Sequence, residues 1–397
     1  MTIQQAVILA GGFGSRLRNI TKNIPKPLIQ FNNKPFIFYI VEELERAKIK
    51  KIIILAGYKG NLIKKKFLNK KNIKVIIEKK PLGTGGSIVT AKKHLDKYFL
   101  LLNGDTYINL SLRAKILNFK KTCSKIFIIQ NKTYKSNRLL SNLNIYKKKI
   151  IFSKSKSFMY SGISIFRSKD FKNFKDNNFI SLENTILNNL IKSKKLDGEI
   201  NNESFIDIGT LKNYQKAKKN IKKILKKKCF FFDRDNTLIF DKGYTYKKKD
   251  LKWMPGAIQA IKFLKNKNYL VIVVTNQSGV AKGFYTEKNV LSFHEHMNKS
   301  LIKKKTYIDD FFYCPYHEKG IGIYKKKTNL RKPGNLMIKN AIKKWNIDIK
   351  ESHFIGDSIK DKMAANISNI KFTYSDKKNL LNLVKNIVKN HEHKKNI

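Results

Sequence analysis

Apolar residues recur along this chain in two rhythms. Mainly apolar runs at 6–10, 52–56, 73–78, 99–102, 126–129 and 159–166 are bounded by polar turns and read as strands. Between them, over 35–48, 87–95 and 182–192, apolar positions return every three or four residues, as in a helix with one buried face. Lys147, Lys148 and Lys149 mark a hairpin turn. A lysine-rich helix over 210–228 carries no apolar side chain after Leu225, which places a domain boundary near 226–228. The alternation then resumes. Runs at 229–232, 270–274, 311–313 and 353–355 predict strands, and 256–265, 289–301 and the stretch after Pro333 predict helices. Pro255 stands at a position suited to a helix start. A final amphipathic helix carries Leu380, Leu381, Val384, Ile387 and Val388. The pattern predicts an α/β protein of two domains, residues 1–226 and 227–397, each a mostly parallel sheet covered by helices and large enough for its own core.

Composition changes this picture little. The 397 residues carry a formal charge of +56 and a pI near 10.1. Of the 84 basic residues only eight are arginines; the lysines spread evenly through helices and loops. A nucleic-acid binder concentrates charge on one face and uses arginine forks, so no nucleic-acid partner is expected. The excess charge can still draw in anionic substrates. Three of the eight arginines, Arg16, Arg234 and Arg331, fall inside the motifs below. Three widely spaced cysteines cannot form a disulfide framework. The apolar runs are strand-sized, short of the ~18 residues of a membrane span. Met1-Thr2-Ile3-Gln4-Gln5 runs straight into a strand without the charged start and apolar region of a signal peptide. A cytoplasmic protein with no membrane partner is the expectation.

The chemistry of the second half starts where the run 229–232 ends in Asp233 and Asp235. Two residues apart on an extended chain, both carboxylates lie on one face, at the strand end where α/β sheets bind ligands. They would repel unless a cation sits between them, and Mg²⁺ suits an all-oxygen site that handles phosphate. A polar turn is the alternative, since Asp and Asn suit turns. The downstream text decides between the two. Thr275-Asn276-Gln277-Ser278-Gly279, Arg331-Lys332-Pro333, and Gly356-Asp357 with Asp361 follow at later strand ends or before a helix. Together they supply a nucleophile, a hydroxyl, a lysine and a metal acid, the parts of one phosphoryl pocket.

In these motifs the chain resembles the haloacid dehalogenase phosphatases over residues 229–375. The resemblance implies that Asp233 attacks phosphorus and that Asp235 donates and then accepts a proton. It further implies that Thr275, Asn276, Arg331 and Lys332 bind the phosphoryl group, and that Asp233, Asp357 and the Asp235 carbonyl hold Mg²⁺. The family usually has Gly where Asn236 stands, and Asn tolerates left-handed backbone. The run from Thr275 to Gly283-Phe284-Tyr285-Thr286-Glu287, with Tyr313-Cys314-Pro315, is most similar to D-glycero-D-manno-heptose 1,7-bisphosphate phosphatases; histidinol-phosphate phosphatases share part of it. Many such enzymes bind zinc through Cys-x-His and Cys-x-Cys pairs. Here Cys314-Pro315-Tyr316-His317 and Thr328-Asn329-Leu330 offer one thiolate and one imidazole, too few for a four-ligand site, so no zinc is expected. His391 and His393 read as solvated tail residues.

The first half opens with Ala10-Gly11-Gly12-Phe13-Gly14-Ser15-Arg16 directly after a strand. Its glycines let backbone N–H groups approach a phosphate chain, and Arg16 can fork onto the oxygens. Pro25-Lys26-Pro27 presents a point charge on a stiff turn. The loop has neither the Walker nor the G-x-G-x-x-G spacing. With Glu78-Lys79-Lys80-Pro81-Leu82-Gly83-Thr84-Gly85-Gly86, Asn103-Gly104-Asp105-Thr106 and Phe205-Ile206-Asp207, it resembles the sugar-1-phosphate nucleotidyltransferases over residues 4–220. The resemblance implies that Ala10, Gly11, Gly12, Gly14, Ser15 and Arg16 hold a triphosphate and Lys26 a phosphate group. It puts Gly83, Thr84, Gly85, Asn103 and Gly104 on the nucleoside, Gly162 and Glu183 on the sugar, and Mg²⁺ on Asp105 and Asp207. The subfamily most like this text is the guanylyltransferases of mannose-type or D-glycero-D-manno-heptose 1-phosphate, so GTP and sugar phosphates are the expected partners. Relatives carry Glu-Lys ahead of the sugar strand where this chain has Ser153-Lys154-Ser155-Lys156, and Ser161 replaces the usual Asn beside Gly162.

The implied fold is two Rossmann-like three-layer α/β domains, the second a capless haloacid dehalogenase domain. The two resemblances name consecutive steps, heptose 1,7-bisphosphate to heptose 1-phosphate to GDP-heptose, and so support one another. Rival readings are a mannose- or glucose-1-phosphate transferase fused to another phosphatase, and a non-catalytic nucleotide-binding scaffold.

Overall fold

The computed structural model describes residues 3–130, 140–154 and 157–396; Ser155 and Lys156, on the approach to the sugar strand, lie outside the described residues. The chain divides into two units, Met1–Ile224 and Leu225–Ile397.

In the first unit β1 (Gln5–Ala10), α1 (Phe36–Arg46), β2 (Lys51–Ala56), α2 (Gly60–Lys66) and β3 (Ile73–Ile77) alternate as the apolar pattern requires. Then come α3 (Gly83–Thr90), β4 (Tyr98–Asn103), β5 (Thr106–Ile108), β6 (Ser124–Gln130), β7 (Leu143–Tyr146), β8 (Lys149–Phe152), β9 (Phe158–Arg167), β10 (Leu196–Ile200), β11 (Phe205–Asp207) and α4 (Leu211–Ile224). Among the described residues nine strands form one sheet in the order β3-β2-β1-β4-β9-β6-β10-β8-β7. The segment β3-β2-β1-β4 is parallel. Strand β9 runs antiparallel to β4 and β6, so the sheet is mixed. A run buried along its whole length, as β9 is from Met159, reads the same in either direction, so the mostly parallel sheet expected from the apolar pattern holds only for β3-β2-β1-β4 and the β6–β10 pair. Tyr146 and Lys149 pair across a two-residue turn in which Lys147 and Lys148 both have positive φ, 44° and 72°, as this tight hairpin geometry demands.

Strand β1 has β2 on one side and β4 on the other, so the loops after β1 and β4 diverge at the carboxyl edge and leave a crevice. Leu9 pairs with Asn103, and the Gly104 N–H donates to the Leu9 carbonyl at 2.8 Å. A Cβ on Gly104 would lie 2.8 Å from that oxygen, so only glycine fits.

In the second unit β12 (Cys229–Phe232), α5 (Ala257–Asn266), β13 (Leu270–Asn276), α6 (Glu287–Lys303), β14 (Asp310–Cys314), α7 (Leu336–Trp345), β15 (His353–Gly356), α8 (Ile359–Ile367), β16 (Lys371–Tyr374) and α9 (Leu380–Asn396) follow in turn. The five strands run parallel in the order β14-β13-β12-β15-β16. Phe230 and Phe232 pack with Leu264, Val384 and Val388 on one face; Cys229 and Phe231 meet Met337 and Ala364 on the other. Truncating such a phenylalanine to Ala costs about 3–5 kcal/mol. The crevice forms again where β13 and β15 flank β12.

Two expectations change. Pro255 is not in the first turn of α5; it stands in the turn before it, with Gly256 at φ 75° leading into Ala257. His391 is not a free tail residue. Its ring lies 5.7 Å from that of His353 and 6.5 Å from Phe230, because α9 docks along its Leu380, Val384 and Val388 stripe. Among the described residues no helix is long and apolar enough to cross a membrane.

Candidate active sites, one in each unit

The crevice of the first unit opens into a cavity of about 490 Å³. Ala10, Gly11, Gly12, Lys26, Gly83, Thr84, Asn103 and Asp105 line it, brought together by the ends of β1 and β4 and the start of α3. Lys26 Nζ pairs with Asp105 Oδ2 at 3.2 Å. Other expected residues support the wall from behind. The Gly85 N–H donates to the Ile180 carbonyl at 2.8 Å, and a Cβ there would crowd Ile180 and Ile186. Gly162 lies under Asn103, whose Nδ2 would be 2.8 Å from a Cβ. Glu183 accepts from the Thr84 hydroxyl at 2.8 Å. Gly14 turns the loop at φ 66°, and Ser15 and Arg16 lie exposed in the turn that follows. Asp207 is off the cavity: its carboxylate accepts from the Gly209 N–H at 2.8 Å and Asn213 at 3.4 Å.

Glu78 is the residue of this cavity whose chemistry the motif reading passed over. It lies on the wall against Gly11, where a Cβ would meet its Oε2 at 3.3 Å, and it accepts from the Ser87 hydroxyl. Burial raises its pKa, and among the described residues no cation pairs with it. Phe13, 59% exposed, sits beside Tyr58 at the mouth with ring centroids 6.0 Å apart.

The second crevice holds a cavity of about 340 Å³ lined by Asp233, Asp235, Asn236, Thr275, Asn276, Lys332 and Asp357. Asn236 has φ 52°, and its Oδ1 accepts from the Asp241 N–H at 3.2 Å, so the side chain braces the left-handed turn. The buried Lys332 ammonium touches Asp233 Oδ1 at 2.7 Å, Asp361 Oδ1 at 2.6 Å and the Val274 carbonyl at 2.8 Å. Asn276 fixes the backbone beneath it by accepting from the Lys332 N–H and donating to the Lys332 carbonyl, each at 3.0 Å. Burial pushes Asp233 up to about 7, with Asp361 and Asp235 adding to the rise and Lys332 opposing it. Burial also raises Asp357, and Asp361 raises it further.

Asp233, Asp357 and Asp361 can bring carboxylate oxygens within 4.8 Å of one another. Asp361, expected in the pocket with Gly356-Asp357 but not among the metal ligands, joins this set. It is also the acidic partner of the Ser358 cap of α8, accepting from the Ser358 hydroxyl at 2.7 Å, while its other oxygen meets Lys332. The Asp235 side chain is turned to Arg234 and Gln277. Arg331 stands off the cavity wall, its guanidinium 3.4 Å from the Tyr316 carbonyl. Cys314 is buried with Sγ 3.8 Å from that same carbonyl, while His317 Nδ1 accepts from the Lys319 N–H.

Residues 5–138 match the nucleotidyl transferase family and residues 228–388 the polynucleotide kinase 3 phosphatase family. The chain is 40% identical over 147 residues to the D-glycero-beta-D-manno-heptose-1,7-bisphosphate 7-phosphatase of Pasteurella multocida, covering 37% of this chain and 80% of that protein. It is 33% identical over 219 residues to the D-glycero-alpha-D-manno-heptose 1-phosphate guanylyltransferase of Campylobacter jejuni, covering 53% of this chain and 96% of that protein. The chain joins a nucleotidyltransferase to a haloacid dehalogenase-like phosphatase. The crystal structure of HddC from Yersinia pseudotuberculosis is 27% identical, covers 55% of this chain and 100% of its own, and superposes with a TM-score of 0.47.

The transferase unit thus brings Gly11, Gly12, Lys26 and Asp105 to one cavity, and the phosphatase unit brings Asp233, Thr275 and Lys332 to another. Glu78 could have been found as an acid fixed inside a glycine-rich motif. Gln277, which donates to Asp235 Oδ2 at 2.9 Å, could have been found from its place between Thr275 and the following turn.

Proposed function

We propose that the phosphatase unit removes the 7-phosphate of D-glycero-D-manno-heptose 1,7-bisphosphate and that the transferase unit joins the resulting heptose 1-phosphate to GMP from GTP. The observation that carries this reading is that relatives at 40% and 33% identity, each covered over most of its length, are named for removing the 7-phosphate of a heptose 1,7-bisphosphate and for guanylyl transfer to a heptose 1-phosphate, which follow one another apart from the anomer. Their names differ in anomer, beta for the phosphatase and alpha for the transferase. For one product to feed the next step, the phosphatase unit must accept the alpha anomer.

In the phosphatase unit an Asp233 oxygen attacks the 7-phosphorus and the ester P–O bond breaks, with Asp235 giving its proton to the departing sugar oxygen. Water then attacks the aspartyl phosphate, Asp235 takes the proton, and the P–O bond to Asp233 breaks to release inorganic phosphate. Thr275 and Lys332 hold the phosphoryl oxygens. The all-oxygen set Asp233, Asp357 and Asp361 suits Mg²⁺, which when bound would neutralise phosphoryl charge.

In the transferase unit the sugar phosphate attacks the α-phosphorus of GTP and pyrophosphate leaves. The glycine loop and Arg16 cradle the triphosphate, and Lys26 offsets the charge. Asp105, which faces the cavity, would hold Mg²⁺ there; Asp207, held by Gly209 and Asn213 away from the cavity, is not assigned to it. Glu78 selects the base, because a carboxylate offers two acceptors to the adjacent N1–H and N2–H₂ donors of guanine.

The test supplies the full-length protein and Mg²⁺ with each anomer of heptose 1,7-bisphosphate and with GTP, ATP, UTP or dTTP. Phosphate release from the alpha anomer and GDP-heptose formation are expected. Higher kcat/KM with another nucleotide, or hydrolysis confined to the beta anomer, would sink the linked reading.

A further inference from the structure

Arg234 is a buried guanidinium, 1% exposed, and does not line the phosphatase cavity. A charge removed from water must be paired on every side. Its Nε donates to Asp235 Oδ1 at 2.8 Å and its Nη2 to Asp235 Oδ2 at 3.1 Å. Nη2 also donates to the Thr245 carbonyl at 2.9 Å, in the turn that carries Asp241, Gly243 and Tyr244 onto the cavity wall. Nη1 lies 3.4 Å from His294 Nε2. The guanidinium carbon stands 5.1 Å from the centre of the Phe293 ring, and the His294 ring stacks on Phe311 with centroids 4.4 Å apart. To accept from Nη1, His294 must be neutral, and burial with the adjacent guanidinium holds its pKa well below the ordinary value.

From this geometry we infer that Arg234 is a positioning residue for the phosphatase reaction: its fork, locked from behind by Thr245, His294 and Phe293, sets the orientation in which the Asp235 carboxylate faces the cavity. Gln277 completes the hold from the cavity side, donating to Asp235 Oδ2 at 2.9 Å while its own Oε1 accepts from the Tyr285 hydroxyl at 2.8 Å. A buried ion pair contributes little net stability, since desolvation offsets attraction. What this pair supplies is direction: a planar fork holds both carboxylate oxygens, where a lysine would hold one point. Asp235 is 22% exposed, so the fixed group still opens onto the cavity. The inference rests on the proposed role of Asp235 as proton carrier.

The experiment uses the full chain with Mg²⁺ and two substrates, heptose 1,7-bisphosphate and p-nitrophenyl phosphate, whose leaving group needs no proton. Arg234→Met should lower kcat on the sugar substrate by ~10²-fold or more with KM changed less than ~3-fold. On p-nitrophenyl phosphate it should release one equivalent of nitrophenolate in a burst before a slow steady state, because the aspartyl phosphate still awaits a base. Arg234→Lys, charged but without the fork, should recover only part of the loss. In an Asp235→Asn background Arg234→Met should add no further loss, as expected of a residue acting through Asp235.

Losses that multiply with those of Asp235→Asn, or slowing of both substrates without a burst, would show a merely structural role. Should Arg234→Met not fold, Arg234→Lys decides alone: full kcat on the sugar substrate would exclude the fork. Wild-type turnover by Asp235→Asn itself would instead overturn the role of Asp235.

Discussion

A guanine ring presents two adjacent donors, and a nucleotide cavity that prefers it needs two adjacent acceptors. Glu78 offers them from the wall beside Gly11, with Ser87 holding one oxygen. Glu78→Gln keeps the shape but swaps one acceptor for a donor, setting two donors against each other. An unpaired buried donor costs about 1–3 kcal/mol, so kcat/KM for GTP should fall ~10- to 10²-fold while that for UTP and ATP falls less or rises. Steady-state assays of all three nucleotides with heptose 1-phosphate check this; an unchanged GTP preference removes Glu78 from base selection. At this scale the sequence was readable where a residue's conformation is a local matter. Asn236 at φ 52° follows from the tolerance of asparagine for left-handed backbone. Asp361 was readable as a member of the pocket that holds Lys332, but not as its direct ion-pair partner, because the contact at 2.6 Å joins the first turn of α8 to the stretch before α7.

The helix α9 and strand β15 show the same division one level up. The Leu380, Val384 and Val388 stripe announced a docked helix, but not that docking would bring His391 against His353. That meeting depends on the direction in which α9 crosses the sheet, which periodicity does not encode. It has a stability consequence. Burial pulls His353 down to about 3, with His391 and Lys371 adding to the fall, although its Nε2 is bonded to Thr373 at 2.8 Å. An unfolded histidine titrates near ~6.5. Below that value the unfolded chain binds a proton that the folded state refuses until about pH 3, so stability falls as pH falls. At pH 5 this amounts to about 2 kcal/mol. His353→Gln, which can keep a bond to Thr373, should lose that dependence: the drop in urea-unfolding stability between pH 7.5 and pH 5 should be about 2 kcal/mol smaller than in the wild type. Equal drops in both proteins would mean that His353 is protonated in the fold.

At the scale of the whole molecule, the alternation of strands and helices and the lysine-rich stretch before residue 229 made two α/β halves legible, since each half's apolar runs close a sheet of their own. The excess of lysine told nothing about function, because a charge spread over every surface helix points at no partner. What the two halves do together is tested by separating them chemically within the intact chain. Asp233→Asn removes the proposed nucleophile in a side chain of nearly the same shape, and Asp105→Asn removes the acid that faces the transferase cavity from a different hydrophobic core. If each unit is a complete catalyst, Asp233→Asn should abolish phosphate release from heptose 1,7-bisphosphate. It should leave conversion of supplied heptose 1-phosphate and GTP into GDP-heptose intact. Asp105→Asn should do the reverse. Loss of a group used in the chemical step raises the barrier by several kcal/mol, so each fall should exceed ~10³-fold. Mixing the two variants should then restore the whole conversion from heptose 1,7-bisphosphate, because the intermediate can diffuse from one protein to the other. Well-folded variants that each lose both activities, or a mixture that stays inactive, would require that the two reactions share groups or occur only in concert within one chain.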